Sequence, residues 1–66
     1  MHITLNGVER ELPDDATIAD LIAELRLTPQ HVAVEVNLEL VPRAQHREHR
    51  LSGGDRLEVV TLVGGG

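Results

Sequence analysis

The sequence predicts an α+β domain: one mixed β-sheet of about five strands, with a single main helix packed on one of its faces. Three observations lead there. Short runs near the start, in the middle and near the end of the chain alternate apolar with polar residues, the period of half-buried strands. Ile18, Leu21, Ile22 and Leu25 recur instead at i, i+3, i+4 and i+7, which is one apolar stripe of a helix. Asn6-Gly7 separates the first two runs, where a tight hairpin needs residues that accept positive φ.

The first strand is read from Met1, Ile3 and Leu5, alternating with His2, Thr4 and Asn6. A type I′ turn at Asn6-Gly7 returns the chain as a second strand from Val8 to Leu12, and Arg10, which breaks the alternation, puts that strand at an edge. Pro13, Asp14 and Asp15 form a loop. Thr17 followed by Asp20 resembles a capping box with Asp in place of Glu, so the helix starts there. Pro29 forbids its continuation. Val32, Val34 and Val36 make a third strand with Ala33 and Glu35 between them, and Asn37 turns the chain into a short fourth from Leu38 to Val41, stopped by Pro42. From Arg43 to Arg50 the sequence is polar and unpatterned, with Leu51 as an anchor into the core and Ser52 to Asp55 as a turn. The last strand runs from Arg56 to about Leu62. Leu57, Val59 and Thr61 are assigned to its core face and Glu58, Val60 and Leu62 to its open face. No repeat, linker or second domain is visible; residues 1–62 are the domain and residues 63–66 a glycine tail.

Composition narrows the function. A 66-residue chain hides only about 60% of its unfolded surface and leaves little room for a deep catalytic cleft. Chemistry is therefore expected at the surface or at an end. The core is aliphatic, since the chain has no Phe, Tyr, Trp or Cys; without cysteine there is no disulfide, no thiolate nucleophile and no thiolate zinc site. A net charge of −5 without basic clusters argues against nucleic acid and suits a basic protein partner. Every basic side chain apart from histidine is Arg; with no lysine, copies of the chain cannot link to one another through side-chain amides. No segment has the length of a membrane span, and no signal-peptide core is visible, so the cytoplasm is the expected compartment.

The chain ends in Gly64, Gly65 and Gly66 directly after the last strand. Glycine's missing side chain suits a segment that threads a narrow channel and brings its backbone close to a nucleotide. Val63 to Gly66 extended reaches about 13 to 14 Å, enough to enter the active site of another protein. An ionised main-chain carboxylate on Gly66 is a nucleophile toward the α-phosphate of ATP. Sulfide then displaces AMP from the acyl adenylate and leaves a thiocarboxylate, or a persulfide displaces it and a second thiol cleaves the S–S bond of the acyl persulfide to the same product. The plain alternative is a frayed glycine end.

Several features occur together: Asn6-Gly7; Val32-Ala33-Val34-Glu35-Val36-Asn37 followed by Val41-Pro42-Arg43; Gly54-Asp55; and Val59-Val60-Thr61-Leu62-Val63 running into the terminal glycines. With them the chain resembles, over nearly its whole length, the thiamin-biosynthesis sulfur carriers, the ThiS family of β-grasp, ubiquitin-like proteins. The resemblance implies that Gly66 is adenylated and then thiocarboxylated, with Gly65 and Gly66 as the family's terminal pair. It implies that the chain is a co-substrate and not an enzyme. An adenylyltransferase of ThiF type, related to ubiquitin-activating enzymes, would supply ATP and Mg²⁺; a sulfur-donor protein would supply the sulfur, and thiazole synthase of ThiG type would accept it. No cofactor is expected on this chain. Two positions depart from the family: His46 stands where Trp is common, and Leu62 where an aromatic residue is frequent.

Val63, Gly64 and Gly65 are then the residues that thread the partner's active site, and Val60, Leu62, Glu58 and Arg43 are candidate docking residues. Incidental exposure of aliphatic residues, or a loop arginine that only meets solvent, is the plainer reading of that surface. His46 and His49 are read as solvated loop histidines, not metal ligands, since no third ligand is near. Glu9, Glu11, Asp14 and Asp15 are read as a solvated acidic face and not as an acid–base pair, and Gly53-Gly54 lacks the lysine of a phosphate loop. Other readings are a molybdopterin-synthase small subunit, against which Val41-Pro42-Arg43 argues, a ubiquitin-like modifier, and a β-grasp interaction module with an inert tail.

Overall fold

The computed structural model describes residues 1–62. The predicted hairpin forms from β1 (His2–Leu5) and β2 (Val8–Glu11), paired antiparallel with Leu5 opposite Val8. Asn6 and Gly7 lie at φ of 50° and 83°, as a two-residue turn of primed type demands. β3 (Val32–Val36) and β4 (Glu39–Val41) form a second hairpin, with Asn37 and Leu38 at φ of 52° and 71°. Leu38 thus belongs to the turn and not to the strand. β5 (Arg56–Thr61) lies between the hairpins, parallel to β1 and antiparallel to β3. The order β2-β1-β5-β3-β4 makes one mixed five-stranded sheet, with β2 at an edge as expected.

The capping box predicted at Thr17 is present: Asp20 N–H donates to Thr17 Oγ1 at 3.2 Å and Thr17 N–H to an Asp20 carboxylate oxygen at 2.9 Å. It opens α1 (Ile18–Glu24), whose Ile18, Leu21 and Ile22 are almost fully buried against Ile3, Val34, Leu57 and Leu51. Burying each such side chain contributes about 1.5 to 3 kcal/mol. The helix ends before Pro29. Arg26 adopts φ 59°, and the N–H groups of Arg26 and Leu27 donate to the carbonyls of Ala23 and Ile22, closing a Schellman motif with Arg at the position glycine favours. Pro29 instead opens a short 3₁₀ turn, Pro29–His31.

Residues 43–50 depart most from expectation. Their first part is a 3₁₀ turn, Arg43–Gln45, and the segment runs alongside the start of α1. Ile18 N–H donates to the His49 carbonyl and Ala19 N–H to that of His46, so two donors of the helix's first turn are satisfied there. His46 is buried, with 3% of its surface exposed. Its Nε2 lies 2.9 Å from the Val41 carbonyl oxygen, an acceptor, so Nε2 carries the hydrogen. The solvated-loop reading fails for this residue because its ring fills space between β4 and the helix start, whereas His49 is half-exposed. Leu51 is buried as predicted.

Candidate functional site

β5 carries the chain toward its end, and both neighbours hold it. On the β3 side the ladder runs from Val36↔Leu57 to Val32↔Thr61. On the β1 side regular pairing stops at Leu5↔Leu57, and Asn6 takes over. Its main-chain N–H donates to the Leu57 carbonyl; its side-chain amide accepts from Val59 N–H at 2.9 Å and donates to the Val59 carbonyl at 3.1 Å. Asn37 does similar work at the strand's start: its Oδ1 accepts from Arg56 N–H, and its Nδ2 donates to Asp55. Both turn asparagines therefore tie a hairpin to β5. Leu62 N–H donates to the His31 carbonyl at 2.7 Å, so the last described residue is still fastened.

Alternation along β5 sorts its side chains. Leu57 and Val59 are in the core; Glu58 and Val60 face outward on the side away from α1. Thr61, assigned to the core from its spacing, is exposed: it is the last residue of β5, although its partner Val32 is buried. Val60 and Leu62 are 57% and 53% exposed, as the open-face reading requires. The open face also includes Ala33 opposite Val60, Glu35 opposite Glu58, and Leu40 opposite Glu35. The sequence reading left these out of the site, although the out-facing positions of β3 were legible from its alternation.

Arg43 is not with them. It lines a cleft of about 300 Å³ together with Ala19, Ile22, Pro29, His46 and Arg47, beside the helix. Val63, Gly64, Gly65 and Gly66 lie outside the described residues. Among the described residues no group of three metal-ligating side chains occurs, and no helix is long and apolar enough to cross a membrane. Of the acidic face, Glu9 meets His2 and Asp14 meets the Met1 ammonium.

The profile of the ThiS family matches residues 3–66. The chain belongs to the ThiS family. Its sequence motifs had pointed to these sulfur carriers of thiamin biosynthesis, and the relatives agree. The sulfur carrier protein ThiS of Bacillus subtilis is 37% identical over 65 residues, covering 97% of this chain and 98% of that protein. A thiazole synthase of Paramagnetospirillum magneticum is 39% identical over 66 residues, and the chain spans only 20% of that protein's length. The crystal structure of the thiamine biosynthesis protein (ThiS) from Geobacter metallireducens superposes with a TM-score of 0.85 at 26% identity, covering 100% of both chains. The expected β-grasp fold is therefore the fold found.

Proposed function

We propose that this chain carries sulfur for the thiazole of thiamin on the carboxylate of Gly66, as a co-substrate of other enzymes and not as an enzyme itself. The observation that carries this reading is the family match running to residue 66. A carboxylate oxygen of Gly66 attacks the α-phosphorus of ATP and pyrophosphate leaves. Sulfide sulfur, delivered by a sulfur-donor protein, then attacks the acyl carbon; the C–S bond forms, the C–O bond to AMP breaks, and a thiocarboxylate remains. ATP and Mg²⁺ sit in an adenylyltransferase of ThiF type, and Val63, Gly64 and Gly65 thread its active site. Thiazole synthase of ThiG type accepts the sulfur. Support for that acceptor comes from the thiazole synthase in which a segment like this whole chain forms a fifth of the length. Val60, Leu62 and Glu58 dock on the partner, Arg43 adds a contact from the helix side, and the protein works in the cytoplasm.

Intact-mass spectrometry after incubation with the adenylyltransferase, ATP and a sulfur source tests this. Exchange of one oxygen for sulfur is the expected result, and it disappears when Gly65 and Gly66 are deleted although the circular dichroism spectrum stays the same. A chain whose mass never changes refutes the proposal.

A further inference from the structure

We infer that the open sheet face receives an arginine of the adenylyltransferase between Glu35 and Glu58. The inference rests on the carrier reading above and adds what the partner's surface must present. Glu35 and Glu58 stand directly opposite each other in the β3–β5 ladder, and both are exposed. Like charges in that position destabilise a sheet, where most other cross-strand pairs support it. No cation among the described residues is ion-paired with either: the ion pairs there are Met1–Asp14 and Arg10–Glu24, and His2 lies beside Glu9. Arg56, two residues before Glu58 on the same face of β5, forms no ion pair with either.

The surroundings of the two carboxylates decide what fits. Leu40 lies on one side of Glu35, and the Ala33–Val60 pair is the next along the same face. Leu40 and Val60 are 66% and 57% exposed, so a partner seated here covers aliphatic surface and excludes water around the charges. A guanidinium in that setting answers both carboxylates at once, because its planar fork offers five donors; an ammonium is a point charge and more strongly hydrated. The chain's net charge of −5 adds long-range attraction for a basic surface. The same face runs through Val60 to Leu62, where residues 63–66 begin, so an enzyme that takes the tail lies against it.

The test uses Glu35→Gln, Glu58→Gln and the double variant, with two readouts that move in opposite directions. In chemical denaturation each single variant shifts the folding equilibrium toward the native state by about 1.4- to 5-fold, because the repulsion is gone. In the adenylation reaction the KM for the double variant rises about tenfold or more, with the loss in KM rather than kcat, because a desolvated arginine loses its partners. The KM of the unaltered chain also climbs more steeply with salt than that of the double variant. A pair with only a structural role raises stability and leaves KM alone. Unaltered chain that is activated, together with a double variant of unchanged or lower KM, overturns this inference while the carrier reading stands. Unaltered chain that the enzyme does not activate overturns both.

Discussion

Removing the Asn6 side chain should cost this domain a large share of its stability. The amide makes two hydrogen bonds to the main chain of Val59, 53 residues away, at 2.9 and 3.1 Å. Bonds of this kind contribute about 0.5 to 1.5 kcal/mol each, so losing both costs about 1 to 3 kcal/mol. Asn6 also sits at φ 50°, a region that costs most side chains roughly 1 to 2 kcal/mol and asparagine less. Asn6→Ala is therefore expected to lose about 2 to 4 kcal/mol, and Asn6→Gly, which keeps the turn without the clamp, about 1 to 3 kcal/mol. A chain of this size is stable by only about 3 to 10 kcal/mol in total. Urea denaturation followed by far-ultraviolet circular dichroism is the suitable assay, since the chain has no tryptophan or tyrosine to report by fluorescence. The midpoint should fall with the slope unchanged, which marks a loss of stability and not a change in the surface exposed. A loss under about 0.5 kcal/mol for Asn6→Gly would refute the idea that the amide secures β5, because two intact bonds cannot vanish at so small a cost.

Two further changes probe places where the chain departs from its own sequence signals. Arg26→Gly relieves a left-handed residue in the Schellman motif and should raise the melting temperature by up to about 4 to 8 °C, equivalent to about 1 kcal/mol, in a calorimetric scan; no rise would mean that Arg26 is unstrained. His46→Ala should lose about 2 to 4 kcal/mol in denaturation, from the vacated space and the lost hydrogen bond to the Val41 carbonyl, while His49→Ala stays within about 0.5 kcal/mol; equal effects would show that His46 is not a core residue.

Some of this was legible because it rests on neighbours in sequence. The spacing of Ile18, Leu21 and Ile22, the Thr17–Asp20 box and the alternation of Val32, Val34 and Val36 are local patterns, and each produced the element it predicted. Asn6-Gly7 gave its turn for the same reason. Pro29 set only a limit on the helix, which ends earlier, at a left-handed arginine that has no sequence signature. Thr61 was put in the core because alternation says which side a residue faces and not whether a strand's last residue is covered.

By itself, then, the sequence determined the element order, the aliphatic core and the family, since short-range periodicity and a motif set spread along the chain are enough for those. Only the tertiary structure decided which distant groups meet: Asn6 with Val59, His46 with Val41, and Glu35 opposite Glu58. Those pairings depend on strand order and register across the sheet, which bring together residues tens of positions apart that no local pattern links. The same register gathered Leu40 and Val60 into one face and set Arg43 apart on the helix side.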